Sequence, residues 1–169
     1  MSISIPTYDQ IMELPAQIDR PVPPEFIDEN GHMNIGRYLE LGANALWARL
    51  QNDLGITTEY VQSRGLSTFT AEHHLTYLSE MLEGEQVSVH VRLVGRSDKA
   101  LHSVALVVNQ TQQRLACIME SVIIHIDMGP RRPVEFPADI VPLLDAGLKS
   151  DDLVWPAPVN GSMGVRRKP

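Results

Sequence analysis

The sequence is short of cysteine, of positive charge, of aromatic residues and of long apolar runs, and most of these shortages exclude something. A single cysteine in 169 residues, Cys117, permits no intrachain disulfide; the reducing cytoplasm is therefore the expected compartment. Cys117 lies midway along an apolar stretch and reads as a small buried hydrophobe rather than a nucleophile. A formal net charge of −7 speaks against a general nucleic-acid role, which asks for a basic face. No apolar run approaches the ~20 residues that cross a bilayer. The opening MSISIPTYDQIMELP lacks a basic region followed by an apolar core, so no signal peptide is expected. Internal repeats, low-complexity tracts and alternating βαβ units are all missing, which leaves an α+β pattern.

What is present is a globular composition, 43% hydrophobic and 21% charged, with two clear periods. Residues 1–148 read as one domain and 149–169 as an extended C-terminal tail rich in proline and glycine. The first sixteen residues form an arm on the surface or on a partner. Gln17–Pro23 is a short strand, and Pro23-Pro24 stiffens the entry to the next turn. From Asn34 to Asp53, Ile35, Leu39, Gly42/Ala43, Leu46 and Leu50 recur at helical spacing and predict one buried stripe ending at Gly55. A shorter helical piece runs to Arg64 and Gly65. The period then changes to two: Leu66–Leu78 alternates, with Thr68, Thr70, Glu72, His74 and Thr76 on one polar face. Gln86–Val94 and Lys99–Asn109 form a hairpin, with Val87, Val89, Val91 and Leu93 facing inward. Arg114–Ile126, the longest apolar strand, is expected at the centre of the sheet, and Pro137–Leu148 as a closing helix.

The turn ahead of the long helix, Asp28-Glu29-Asn30-Gly31-His32-Met33-Asn34, is richer in chemistry than a connector needs. It gathers a carboxylate, an imidazole and two carboxamides. Asn34 is a good N-cap, so the first backbone N–H groups, around Ile35, Gly36 and Arg37, would face the polar cluster and favour developing negative charge. Asp-Glu-Asn-Gly is also a favourable turn for purely conformational reasons.

The pattern Asp-x-Asn-x-His, followed by Asn and a helix carrying Tyr, resembles the signature of hotdog-fold thioesterases. The likeness continues through FTAEHHLTYLSE, LEGEQVSVHVRLVG and VIIHIDMGPRRPVEFP, over roughly residues 20–147. The DENGHMN turn and the Thr70, Glu72, His74 pattern look most like thioesterase domains associated with carnitine breakdown. The resemblance implies an α+β hotdog fold, in which a curved antiparallel sheet wraps a long central helix. It implies subunits joined edge to edge into a homodimer or tetramer, with the site between them. It further implies hydrolysis of an acyl-CoA thioester, with a short polar or cationic acyl group such as betainyl, and no cofactor. A catalytically silent acyl-binding or scaffold module is the alternative.

In such an enzyme Asp28 would be nucleophile or general base, two roles the sequence does not separate. His32 would orient Asp28 or water, Asn30 would hold the carboxylate or the carbonyl, and Asn34 would cap the helix whose Ile35 and Gly36 amides form the oxyanion site. Glu72 and Glu80 are both candidates for an assisting carboxylate. Arg96, Lys99 and Arg37 are candidates for the phosphates of CoA, and Tyr38, Trp47, Phe69 and Tyr77 for the walls of a cationic pocket. His73 and His74, as strand neighbours, point to opposite faces and cannot chelate together, so no metal is expected.

Overall fold

The two periods become one helix and one sheet. In a computed structural model that describes residues 3–165, the elements are α1 (Tyr8–Ile11), β1 (Ala16–Pro21), a short 3-10 turn (Pro24–Phe26), α2 (Ile35–Asp53), α3 (Thr58–Arg64), β2 (Leu66–Tyr77), β3 (Gln86–Arg96), β4 (Ala100–Asn109), β5 (Arg114–Asp127), β6 (Arg132–Pro133) and α4 (Val141–Ser150). The strand order is β1-β3-β4-β5-β2, all antiparallel, with β6 added to β5. This is the expected α+β hotdog arrangement, a curled sheet around a long helix. The central strand is β4 rather than β5. Both are buried along almost their whole length, so apolar content alone does not rank them.

Helix α2 lies across β4, β3 and β1. Its buried residues are Tyr38, Leu41, Gly42, Ala45, Leu46, Arg49 and Leu50, whereas Ile35 is 64% and Leu39 36% exposed. The helix is therefore rotated from the predicted stripe over its first half. Gly42, which belongs to both the predicted and the observed face, seats the helix on Met119, whose sulfur would stand 2.7 Å from any added Cβ. The rejected Ile35 and Leu39 form an apolar surface next to the polar turn.

Val87, Val89, Val91 and Leu93 of β3 face α2, as alternation predicts, together with Leu101, Ala105 and Val107 of β4 and Cys117, Met119 and Ile123 of β5. The outer face is covered as well. Val104, Leu106, Val108, Leu115 and Ile118 pack against Ile11 and Leu14 of the N-terminal arm and Trp155 of the C-terminal segment. Burial on both faces is why these strands read as nearly continuous apolar runs. Residues 151–165 contain no helix or strand but are firmly tied down. Arg92 donates to the carbonyls of Asp151 (3.0 Å), Trp155 (2.9 Å) and Leu153 (3.3 Å) and stacks 4.2 Å from the Trp155 ring. The ends of the arm and tail, residues 1–2 and 166–169, lie outside the described residues.

Strand β2 forms one edge of the sheet and carries a bulge at Ala71. Thr70 pairs with Ile123, but Glu72 pairs with the adjacent Val122. Cross-strand partners share a face, so one extra residue turns everything after it over. Thr70 faces the helix with Ile123. After the bulge the inward residues are His73, Leu75 and Tyr77, opposite Ser121, Met119 and Cys117, while Glu72, His74 and Thr76 point outward with Val122, Glu120 and Ile118. The single polar face expected from Thr68 to Thr76 is thus two half-faces. His73 and His74 do point apart.

Candidate active site

The turn before α2 is built by its own side chains. Gly31 takes φ +81°, a left-handed conformation suited to glycine. Its N–H donates to the Asp28 carbonyl (3.0 Å), and the Asp28 N–H donates to the His32 carbonyl (3.1 Å). The loop is pinned by Met33 N–H to the Met81 carbonyl and Asn34 N–H to the Phe26 carbonyl, each 2.8 Å. These bonds present the Asp28 carboxylate at the mouth of the helix. Its Oδ1 accepts from the Asn30 N–H (2.9 Å) and its Oδ2 from Asn34 Nδ2 (3.2 Å). The Asn30 N–H bond chiefly, with help from Asn34 and the nearby His32, holds the carboxyl below its ordinary value of 3.8. Asp28 is therefore ionised at neutral pH.

Asn34 has two tasks. Its Nδ2 holds Asp28, and its Oδ1 caps the helix by accepting from the Gly36 N–H at 2.9 Å. This corrects the expectation of several open amides. The Gly36 N–H is occupied by the cap, and the Arg37 N–H donates to the Asn34 carbonyl (2.9 Å). Among the described residues only Ile35 of these three keeps its N–H without an acceptor. That amide, at the positive end of a 19-residue helix, is the one available to a developing oxyanion.

Other predicted residues are distributed unevenly. Among the described residues the one hydrogen bond of the His32 ring is with the Met33 carbonyl, through Nδ1 at 3.4 Å; the ring does not bond the Asp28 carboxylate, whose side-chain partner is Asn34. Asn30 holds the carboxylate mainly by its backbone. Arg37 does belong here: it lines a cleft of about 410 Å³ with Asp28, Asn34, Gly36, Glu25 and Glu40, pairs with Glu40 at 2.6 Å and stacks 4.8 Å from the Phe26 ring. Glu80 lies between Ser79, whose carbonyl accepts from the Tyr38 hydroxyl (3.3 Å), and Met81, whose carbonyl holds Met33. Its segment therefore runs against the turn. Glu72 does not share that place, because the bulge directs it to the outer face.

Arg96 and Lys99 are not brought to the turn within one chain. They line a separate cavity of about 830 Å³ beside α4 and Asp151, at the end of the fold where Arg49, in the last turns of α2, meets Asp151 at 3.2 Å. A helix of this length separates the two ends by roughly 28 Å. Arg96 is moreover committed to Asp145 by two bonds of 2.6 and 2.9 Å. Cys117 is buried, and burial pushes its thiol up to about 12, so it stays protonated.

Sequence reasoning missed the way Tyr77 serves this region. Its hydroxyl donates to the Ile35 carbonyl (3.2 Å), and its ring meets Tyr38 edge-on, centroids 5.4 Å apart and planes at 87°. Its position at the end of an alternating strand was visible, but not which face it would take beyond the bulge.

Residues 22–144 match the thioesterase-like superfamily. The chain belongs to that family. Its enzyme class is thioesterase. The chain is 33% identical over 129 residues to a betainyl-CoA thioesterase of Pseudomonas aeruginosa, covering 76% of this chain and 80% of that one. It is 30% identical over 141 residues to an L-carnitine dehydrogenase/betainyl-CoA thioesterase of Agrobacterium fabrum, covering 83% of this chain but only 28% of that longer protein. Among solved structures, a Staphylococcus aureus protein in complex with CoA superposes with a TM-score of 0.78 over 98% of both chains at 23% identity. A 1,4-dihydroxy-2-naphthoyl-CoA thioesterase from Synechocystis gives 0.67 at 14% identity, over 82% of this chain and 97% of that one. At these identities the solved structures bear on the fold alone. No helix of the described residues is long and apolar enough to cross a membrane.

Proposed function

We propose that this family member hydrolyses acyl-CoA thioesters at the Asp28 turn, with Asp28 as nucleophile and the Ile35 N–H as oxyanion donor. One observation carries this reading: an ionised carboxylate, fixed by two hydrogen bonds, stands at the mouth of a helix whose leading amide has no acceptor among the described residues. The Ile35 N–H polarises the thioester carbonyl. Asp28 attacks the carbonyl carbon, the C–S bond breaks, and CoA leaves as thiolate. The resulting mixed anhydride is then hydrolysed by water, which releases the free acid and restores the carboxylate. Arg37, in the same cleft, would have to exchange its pairing with Glu40 to hold a phosphate of CoA.

The betainyl-CoA relatives support a short, cationic acyl group as the preferred substrate. The exposed β2 edge supports a homodimer, because a strand with one edge unpaired and carrying Phe69 at 63% exposure needs a cover. The test is thiol release from a panel of acyl-CoA esters by the wild-type chain and Asp28→Asn. The variant is expected to keep its fold and lose most of its turnover; more than a tenth of wild-type turnover would remove Asp28 from its role. Sedimentation is expected to find a dimer, and a fully active monomer would refute the edge-to-edge assembly.

A further inference from the structure

We infer that Tyr77 and Glu80 recognise the positive charge of a trimethylammonium-type acyl group, an inference that rests on the thioesterase reading of the Asp28 turn. The electrostatics of that turn create the need. A helix N-terminus that favours an oxyanion disfavours a cation placed beside it. In an α-trimethylammonio acyl group the nitrogen is two bonds from the carbonyl carbon, so whatever recognises it must stand within a few ångströms of the first turn of α2. Its natural partners are a π face and a carboxylate, and a ring acts within about 6 Å of its centroid.

Elimination leaves few rings. The Phe26 ring already takes the guanidinium groups of Arg20 (5.0 Å) and Arg37 (4.8 Å). Phe69 pairs with Ile124 on the outer side of the sheet, and Trp47 is twelve residues along the helix from Ile35, about 18 Å away. Tyr38 is buried. Tyr77 remains: the register turns it inward, its hydroxyl is fixed to the Ile35 carbonyl at 3.2 Å, and it is 47% exposed. The bond to Ile35 places it within one residue of the proposed oxyanion donor, and the edge contact with Tyr38 fixes its ring.

Among the acidic residues Glu72 is directed outward by the bulge. Glu80 is exposed, makes no hydrogen bond or ion pair among the described residues, and sits on the backbone between the two carbonyls that hold Tyr38 and Met33. Burial, foremost, pushes the Tyr38 hydroxyl up to about 12, and the Glu80 carboxylate adds to that rise. Glu80 thus offers an exposed negative charge without a hydrogen-bond or ion-pair partner among the described residues, three residues along the chain from the Tyr77 ring.

The test compares two esters of one shape: trimethylammonioacetyl-CoA and its neutral isostere 3,3-dimethylbutyryl-CoA, in which carbon replaces the charged nitrogen. The quantity read is the ratio of their kcat/KM values. The wild-type chain is expected to favour the cationic ester. Glu80→Gln and Tyr77→Leu are each expected to lower the ratio about five- to tenfold, and Tyr77→Phe, which keeps the ring, to hold it within about twofold. An unchanged ratio in Glu80→Gln, or equal loss on both esters, overturns the inference. Hydrolysis of other acyl-CoA esters but of neither of these also overturns it, while leaving the hydrolase reading intact. No thiol release from any acyl-CoA would instead defeat the hydrolase reading itself.

Discussion

The two ends of α2 carry similar residue types and use them in opposite ways. At the C-terminal end, Arg49 pairs with Asp53 (2.6 Å) and Asp151 (3.2 Å), and Asp151 also accepts from the Leu93 N–H (2.7 Å). Arg92 alongside donates to three carbonyls, and Asp151 is only 2% exposed. Gly147 packs so closely that an added Cβ would stand 2.9 Å from Leu54 and Leu93. Charge there is spent on joining α2, β3 and the C-terminal segment. At the N-terminal end Asp28 is half-exposed, the Ile35 N–H is open, and Ile35 and Leu39 face outward. Apart from Arg49 Nε and Trp155 Nε1, which have no hydrogen-bond partner among the described residues, the charged groups of the C-terminal end are turned on the fold itself, whereas chemistry requires exposed groups left over for a substrate.

The sharpest way to break this contrast on the stability side is Asp151→Ala. It strands the Leu93 N–H and one arm of Arg49 in a buried site, at a cost of about 3 kcal/mol. Calorimetry should register a fall in Tm of roughly 6–12 °C for a chain of this size, with kcat of the folded protein within about twofold of wild type. A loss of kcat matching an Asp28 variant would mean that the two ends are not separate in function.

Asn34→Ala should act at the other end, on both properties but less. Loss of the cap costs about 1 kcal/mol. Loss of the Nδ2 bond releases part of the hold on Asp28, whose carboxyl then rises toward its ordinary value. Because the native carboxyl titrates low, activity that depends on its ionised form is present above that pH and lost as pH falls through it. The acid limb of the kcat/KM profile is therefore expected below the usual carboxylate range in the wild-type chain and to move upward in the variant. An unmoved limb would show that Asn34 does not tune Asp28.

The smallest effect is expected from Glu72→Gln, which should alter neither the cationic-to-neutral kcat/KM ratio nor Tm beyond experimental scatter, since Glu72 is exposed and directed outward. A selective loss on the cationic ester would mean that the edge strand reaches the site by its outer face.

Much of this is legible in the sequence. The Asn34 cap, the end of α2 near Gly55, the Gly65 break, the β3–β4 hairpin and the buried state of Cys117 all arise from local chemistry and period. The turn motif named Asp28 and Asn34, which the structure brings together in one cleft, and Arg37, named separately as a phosphate candidate, lies in it too. What escaped was whatever depends on one-residue geometry or on distant partners. Alternation in β2 continues in the sequence across Ala71, but the bulge interrupts it in space and moves Glu72 and His74 to the outer face. The helical stripe differs from its expectation in the first half of α2, where Tyr38, Leu41 and Ala45 are buried in place of Ile35 and Leu39, a choice set by the sheet beneath the helix. Arg96 looked free because Asp145, its partner, is 49 residues away in sequence. The C-terminal segment looked loose because its anchors, Arg92 and the outer sheet face, belong to other elements.

The most direct single measurement is to take Tm and thiol release together on one preparation of Asp28→Asn, with wild-type chain beside it. An active-site carboxylate outside the core network should leave Tm within about 2 °C while turnover falls roughly a hundredfold. Turnover above a tenth of wild type, or a Tm drop as large as that of Asp151→Ala, would contradict the assignment of chemistry to the N-terminal end of α2.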